Sequence, residues 1–289
     1  MTPARGAGGG PMRDWRRDWP APAKINLFLH VVGRRADGYH LLQTLFRFLD
    51  FGDTIRCEPR SDGRIVLANP LPGVPPETDL TFRAALALRA ATGATAGVTL
   101  HVEKRLPMGG GLGGGSSDAA TTLMALNRLW RTGLDSLQLQ RTGLALGADV
   151  PFFVHGRTAF AEGVGERFTD VNLPAAWYLV LVPDVAIPTP EIFRSSELRR
   201  DTPAIVAADW RPGFGHNDLE AVAGALYPEV RRHLDWLRQY GDARMSGSGA
   251  CCFVDFVRES AARAALEALP ADMRGFVAAG LDRHPLVMI

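Results

Sequence analysis

The sequence contains almost no lysine: of its 32 cationic residues only Lys24 and Lys104 are lysines, and the rest are arginines. It also lacks an excess of either charge, because 31 acidic residues leave a formal net charge of +1. Nucleic-acid-binding proteins usually carry a strong basic excess, so this balance argues against a nucleic-acid partner. In a chain that uses arginine elsewhere, two lysines are candidates for chemistry that a planar guanidinium cannot supply.

Cysteines and long apolar runs are scarce too. Cys57, Cys251 and Cys252 have no CxxC spacing, which predicts a reducing compartment without a disulfide scaffold or a zinc site. The histidines form no HxxxH or HExxH pattern, so no metal cage is predicted. No stretch approaches the roughly 20 apolar residues of a membrane span, and residues 1–10 have no apolar signal core. We therefore expect a cytoplasmic protein without a membrane partner.

The chain divides by its patterning into three parts. Residues 1–21 are rich in glycine, proline and arginine and lack any period, which predicts a loose extension. From Ile25 the residues alternate, which predicts a strand that buries one face and carries Lys24 and Asn26 together on the other, polar face. Charged, proline-containing sequence before a buried strand predicts a boundary between residues 22–168 and residues 169–289.

The densest motif is a glycine run between a predicted strand and a predicted helix. It consists of Leu112 and six glycines around it, namely Gly109, Gly110, Gly111, Gly113, Gly114 and Gly115. Backbone N–H groups at a helix N-terminus favour phosphate, and Ser116, Ser117 and Asp118 are candidates to cap this helix. The run lacks both the downstream acidic residue of a dinucleotide fingerprint and the Gly-Lys-Ser/Thr of a Walker A loop. It indicates a phosphate site of another kind, or a tight packing turn.

Asp149 follows the helix-ending Gly147 and precedes Pro151, a pattern typical of a helix N-cap. A carboxylate there could instead accept a proton from an attacking hydroxyl in phosphoryl transfer. Lys24 could stabilise a transferring phosphate or be a solvated strand residue. Lys104, before the glycine run, could reach a nucleotide or be solvated in the same way.

A second glycine turn, Ser246–Gly249, is interpreted either as a hairpin turn or as part of a site. Neither serine has glycines two residues away on both sides, so the turn is not a nucleophile elbow. Cys251 and Cys252, in the apolar run that follows, are predicted core residues. A hydrolase interpretation therefore has little support.

Three separated motifs give these residues a common interpretation. In chain order they are Pro22–Leu27, Pro107–Ser117 and Met245–Ala250, and they resemble the three motifs of the kinases named for galactokinase, homoserine kinase, mevalonate kinase and phosphomevalonate kinase (GHMP kinases). Four further segments resemble the branch of that family that phosphorylates a cytidine diphosphate conjugate of methylerythritol; they span residues 33–40, 147–153, 187–190 and 217–220. The resemblance covers about residues 22 to 256.

The resemblance implies an α+β enzyme of two domains with the active site in the cleft between them. It implies ATP with Mg²⁺ as cofactors and transfer of phosphate to the 2-hydroxyl at the methylerythritol end of the substrate. Lys24 and Asp149 match the catalytic pair. The matched nucleotide-binding positions are Lys104, Pro107, Gly109, Gly110, Gly111, Leu112, Gly113, Gly114, Gly115, Ser116 and Ser117. No magnesium ligand is assigned; Ser117 is a candidate only.

The resemblance also implies a cytosine site. Tyr39 and His40 match residues that recognise cytosine, Phe193 matches an aromatic that stacks on the opposite side of its ring, and Asn26 and Thr189 match substrate-binding positions. Two alternatives stay open: a GHMP kinase of another small alcohol such as homoserine or mevalonate, and a non-catalytic nucleotide sensor. The expected partner is a small molecule, and the sequence does not distinguish a monomer from a homodimer.

Overall fold

One twisted sheet connects both halves of the chain in this computed structural model, which describes residues 14–70, 73 and 75–288. Its ten strands within these residues are β1 (Trp19–Arg34), β2 (His40–Arg60), β3 (Ile65–Leu67), β4 (Gly97–Glu103), β5 (Ala159–Gly163), β6 (Arg167–Asp170), β7 (Trp177–Leu181), β8 (Arg244–Met245), β9 (Cys252–Phe256) and β10 (Gly275–Leu281). The main path runs β3-β4-β2-β10-β7-β9-β8, while β1 and β5 pair with β2, and β6 with β5.

Helices pack on the sheet on both sides of the site. They are α1 (Leu80–Thr92), α2 (Gly114–Leu129), α3 (Ser136–Leu144), α4 (Val150–His155), α5 (Thr189–Arg194), α6 (Glu220–Leu226), α7 (Pro228–Leu237) and α8 (Glu259–Glu267), with 3₁₀ turns at Pro76–Thr78, Ala207–Asp209 and Pro285–Met288. Among these described residues no helix is long and apolar enough to cross a bilayer. The predicted α+β class is confirmed.

Local sequence explains where the helices beside the site begin and end. Asp79 caps α1 by accepting hydrogen bonds from the N–H groups of Thr81 (2.7 Å) and Phe82, and Gly93 ends that helix at φ 71°. A capping box between Asp135 and Gln138 begins α3. These caps set where the two helices begin; α1 then packs on α2, and α3 packs on α4.

Two large cores lie under the two halves of the sheet. The first includes Phe48, Leu123 and Phe152 between the sheet, α2 and α4, and the second includes Leu179 and Leu234 between the sheet and α7. Each buried side chain of this size stabilises the fold by about 1.5–3 kcal/mol. β10, the last strand, pairs with both β2 and β7, so the sheet is continuous across the predicted boundary at residue 168. The division into two domains stays a prediction.

Three local predictions are wrong. The extension does not reach residue 21, because Trp19–Ala21 lie in β1 and Trp19 is buried. Burial of the large apolar indole in the core stabilises this part of the strand. The strand β1 buries both faces rather than one, since Lys24, on its polar face, is only 3% exposed. The cap of α2 is Gly113, not a serine or Asp118, because positive φ at Gly113 lets the helix begin inside the glycine run. Residues 1–13 of the predicted extension lie outside the described residues.

Candidate active site

A cleft of about 560 Å³ lies where β1, the glycine run and the second glycine turn meet. The residues lining it include predicted site positions from all parts of the chain, namely Lys24, Asn26, Lys104, Pro107, Gly109, Gly110, Gly111, Gly113, Gly114, Gly115, Ser116, Asp149, Thr189 and Phe193. Tertiary structure thus gathers fourteen of the predicted positions around one space. Leu112, Ser117, Tyr39 and His40 do not line it.

The centre of the cleft holds an ion pair between Lys24 and Asp149. The distance from Lys24 Nζ to Asp149 Oδ2 is 3.3 Å, and the ammonium also donates to Asn26 Oδ1 at 2.7 Å. Lys24 is 3% exposed and Asp149 is 34% exposed, so the ammonium is buried whereas the carboxylate is accessible from the cleft. Asp149 occupies the N-cap position of α4, but its side chain accepts no hydrogen bond from that helix. Its oxygens therefore remain available to the cleft.

Asn26 is held in a single orientation by Thr44 on the adjacent strand β2. The Asn26 side-chain amide donates from Nδ2 to Thr44 Oγ1 at 2.9 Å, and the Thr44 hydroxyl donates to the Phe28 carbonyl. All three groups are buried. Because Nδ2 is committed to Thr44, Oδ1 must face Lys24, and an unpaired polar group here would cost about 1–3 kcal/mol. Sequence reasoning missed Thr44, since an isolated threonine in a strand carries no motif.

Ser246 joins the three motifs. Its hydroxyl donates to the Gly111 carbonyl at 2.9 Å and accepts from the Asn26 N–H at 3.3 Å. Asn217 fixes the turn that carries it by donating to the carbonyls of Met245 and Gly247, both at 2.8 Å. Ser248, in the same turn, lines the cleft and lies 2.7 Å from Thr189, measured between the hydroxyl oxygens. The glycine spacing of this turn is visible in the sequence, whereas the roles of its serines are not.

The glycine run curls against this turn and then becomes α2. Gly109, Gly111 and Gly113 have positive φ, and a Cβ at Gly111 would collide with the Ser246 carbonyl oxygen. Hydrogen bonding within the helix begins at Ser117, whose N–H donates to the Gly113 carbonyl at 2.8 Å. By helix geometry the N–H groups of the three preceding residues point out of the helix end, where the dipole is positive. This end can hold phosphate.

Two predicted members of the phosphate site have other structural roles. Leu112 is buried among apolar residues and its carbonyl accepts the Lys24 N–H at 2.9 Å, so it anchors the loop to β1. Ser117 is fully buried, and its hydroxyl donates to the Pro22 carbonyl at 2.7 Å. Ser116 is half-buried and lines the cleft. Ser116 rather than Ser117 is therefore the serine that can reach a ligand.

Lys104 is held between two carboxylates at the edge of the cleft. Its ammonium contacts Asp53 and lies 2.7 Å from Asp118 Oδ2. Burial alone would lower the pKa of Lys104, but the two carboxylates outweigh it, so the pKa lies above its usual value. Burial raises the pKa of Asp118 to about 7, although Lys104 opposes that shift. Both carboxylates thus hold the Lys104 side chain in its ammonium form at the edge of the cleft.

The residues predicted to recognise cytosine are only partly together. The ring centroids of His40 and Phe193 lie 4.8 Å apart. A base between two rings would need about 7 Å, two van der Waals contacts of about 3.5 Å each, so it cannot enter between this pair. Phe193 lines the cleft, whereas Tyr39 is 66% exposed, on the turn between β1 and β2. Sequence reasoning missed Arg200, whose Nε donates to His40 Nε2 at 3.1 Å.

Two family models and several known proteins match this chain. The N-terminal domain of the GHMP kinases matches residues 79–157, and their C-terminal domain matches residues 205–275. The 4-diphosphocytidyl-2-C-methyl-D-erythritol kinase of Dechloromonas aromatica strain RCB is 61% identical over 272 residues, covering 94% of this chain and 99% of the relative.

Solved structures give the same result. A crystal structure of 4-(cytidine 5'-diphospho)-2C-methyl-D-erythritol kinase is similar at a TM-score of 0.80 and 38% identity, covering 91% of this chain and 99% of the other. Homoserine kinase from Cytophaga hutchinsonii is similar at a TM-score of 0.68 and 15% identity, covering 92% and 94%, which shows the fold alone.

Proposed function

Since the chain belongs to the GHMP kinases, and within them to the family of 4-diphosphocytidyl-2-C-methyl-D-erythritol kinases, we infer that it transfers the γ-phosphoryl group of ATP to a hydroxyl at the methylerythritol end of that substrate. The observation that carries this inference is the 3.3 Å pair of Lys24 and Asp149 in the same cleft as an open helix N-terminus. A binding protein needs the phosphate site but not the carboxylate. The alternatives of a sensor or of a kinase for another small alcohol are not favoured.

We propose that Asp149 is the general base. As the substrate oxygen attacks the γ-phosphorus, the proton of that hydroxyl passes to an Asp149 oxygen, and the bond from phosphorus to the leaving ADP oxygen breaks. The transition state of phosphoryl transfer is loose, so the position of the carboxylate matters more than its basicity. Lys24, fixed by Asn26 and sealed from water, orients Asp149 and offsets the charge that develops on the phosphoryl oxygens.

The N-terminal end of α2 is the proposed site of the ATP phosphates. The N–H groups of Gly114, Gly115 and Ser116 open toward it, and the positive-φ glycines before them let the loop approach a ligand closely. Pro107 and Met108, together with Thr78–Thr81 across the cleft, leave room beside the loop for the nucleoside. Lys104 is proposed to contact the nucleotide from the edge of this region, where Asp53 and Asp118 hold its ammonium group.

Magnesium is proposed to accompany ATP. Within the described residues no group of three or more histidine, cysteine or acidic side chains could hold a metal. The cleft therefore fits an ion bound mainly by phosphate oxygens and water, as Mg²⁺ commonly is, with the Ser116 hydroxyl the protein group placed to assist. When bound, Mg²⁺ offsets phosphate charge in the transition state.

Substrate recognition is proposed for the opposite end of the cleft. Phe193 offers an aromatic face and Thr189 a hydroxyl, and both line the cleft on the side of α5. His40, packed against Phe193, supplies a polar edge for cytosine. Tyr39, the residue before His40, is proposed to supply a further aromatic ring to this site. We further propose a reducing, cytoplasmic location, which agrees with three buried free thiols at Cys57, Cys251 and Cys252.

The test is phosphate transfer from MgATP to 4-diphosphocytidyl-2-C-methyl-D-erythritol, with homoserine and mevalonate as parallel acceptors. Phosphorylation of the cytidyl substrate alone is the expected result. Phosphorylation of homoserine or mevalonate at a comparable rate would replace the substrate assignment. Binding of ATP without transfer to any acceptor would contradict catalysis and leave only the phosphate site.

A further inference from the structure

Arg200 contacts two members of the proposed cytosine site, His40 and Phe193. Besides donating from Nε to His40 Nε2, its guanidinium donates to three main-chain carbonyls at the end of α5 and in the loop after it: those of Phe193 (2.9 Å), Ser195 (2.6 Å) and Leu198 (2.9 Å). Four N–H bonds of a planar group leave it no freedom to turn. The direction of Nε toward His40 is therefore fixed by the fold of the loop.

This contact determines where the imidazole carries its proton. A guanidinium is always protonated and only donates, so His40 Nε2 must be an unprotonated acceptor. In a neutral imidazole the proton then lies on Nδ1, at the other side of the ring. Burial and the nearby charges of Arg200 and Arg34 lower the pKa of His40, which keeps the ring neutral at physiological pH. His40 Nδ1–H is consequently a fixed hydrogen-bond donor.

We propose that Arg200 is a positioning residue that makes this site select cytosine over uracil by holding His40 in its Nδ1–H form. The inference rests on the proposed function. On the pairing edge of the two pyrimidines, N3 of cytosine accepts a hydrogen bond whereas N3 of uracil carries a proton and donates one. A fixed donor pairs with cytosine and faces a second donor in uracil. A donor that a bound base covers without accepting its proton is costly, so discrimination of about 10- to 100-fold is expected.

The test measures dissociation constants of cytidine 5'-diphosphate and uridine 5'-diphosphate and takes their ratio, which cancels the contribution of the shared diphosphate. The variant is Arg200→Met, and the matched control is Arg199→Met, which removes a neighbouring arginine whose side chain is 58% exposed and pairs with Asp201. Wild type and control should prefer the cytidine nucleotide by about tenfold or more, with a ratio that is constant between pH 8 and pH 5.5.

Arg200→Met should lose most of this preference at pH 8, because either imidazole nitrogen can then carry the proton. As the pH falls below the pKa of the variant imidazole, which burial keeps under its usual value, the ring becomes doubly protonated, Nδ1–H is restored, and the preference should recover. A merely structural role for Arg200 would not produce this pH-dependent recovery. In the Arg199→Met control the turnover number and the KM for ATP should stay near wild type, since Arg199 does not line the cleft.

Nitrogen NMR of the wild-type imidazoles, with His40→Gln to assign the signal, provides a measurement that needs no Arg200 variant to fold. A proton on His40 Nδ1 supports the inference, and a proton on Nε2 overturns it. An unchanged nucleotide ratio for Arg200→Met at pH 8 would also overturn it and leave the proposed function intact. Failure of wild type to bind the cytidine nucleotide would instead overturn the proposed function together with the inference.

Discussion

Lys24 and Asp149 meet with their Nζ and Oδ2 atoms 3.3 Å apart, and burial differs between the partners: the lysine is sealed and the carboxylate reaches the cleft. The pair is not built for stability, because a buried ion pair loses about as much in desolvation as it gains in attraction. Its asymmetry suits a carboxylate that must receive a proton from a ligand while its partner stays in place.

Replacing Asp149 by asparagine should lower kcat by about 100-fold or more while ATP affinity changes little, because the amide cannot take the substrate proton. Lys24→Met should likewise reduce kcat. Steady-state kinetics and nucleotide titration check both. The control is Asp235→Asn, which makes the same chemical change on an exposed helix side chain that pairs with Arg238. Turnover near wild type in Asp149→Asn would remove this carboxylate from the mechanism.

Thr44→Val should lower kcat by about tenfold, because Asn26 then loses the acceptor that holds its amide and no longer fixes Lys24. Thr44→Ser keeps the hydroxyl and should restore most of the activity. The KM for ATP should not change in either variant. If Thr44→Ser reduces turnover as much as Thr44→Val, retaining the hydroxyl is not sufficient for activity, and orientation of Asn26 does not explain the effect.

Gly111→Ala should impair both stability and ATP binding, because the added methyl group would collide with the Ser246 carbonyl and separate the two glycine turns. Gly133 has the same φ of 73°, with nothing within 4 Å of an added Cβ, and it serves as the control. Gly133→Ala should cost about 1 kcal/mol of stability and leave nucleotide affinity unchanged. Equal losses of ATP affinity in both variants would contradict the role given to the contact with Ser246.

His284 makes stability depend on pH. Its ring is fully buried against Phe48, and burial lowers its pKa to about 3 from the usual 6.5. The unfolded chain therefore binds one more proton than the folded chain between these values, and stability falls as pH decreases below 6.5. From pH 6.5 to pH 4 this single group should cost about 3 kcal/mol of the free energy of unfolding.

Denaturant unfolding of wild type and His284→Phe at pH 7.5, 6 and 4 tests this. The variant loses the acceptor of the Leu286 N–H, so it should be less stable at pH 7.5, but its stability should fall less on acidification. The difference between the two slopes isolates His284 from other titrating groups. Parallel slopes would show that the histidine does not titrate on unfolding.

The parts of the site that could be predicted are those in which a local sequence pattern is compatible with only one local structure. A glycine run before a helix exposes N–H groups whatever the rest of the chain does, and alternation placed Lys24 and Asn26 on one side of β1, where their side chains do meet at 2.7 Å. The burial of Lys24 was not predictable in this way. It depends on Asp149 and Phe46, which come from other elements and cover the lysine.

The sequence by itself determined the α+β class, the phosphate-binding end of α2 and the types of residue that perform the chemistry. Only the tertiary structure decided which of them touch: the Ser246 hydroxyl between Asn26 and Gly111, the ammonium of Lys104 between two carboxylates, and Arg200 on His40. The periodicity of a helix or strand in the sequence indicates only which residues a few positions apart lie on the same face. Contacts between distant segments arise from strand pairing and core packing, whose register no single segment encodes.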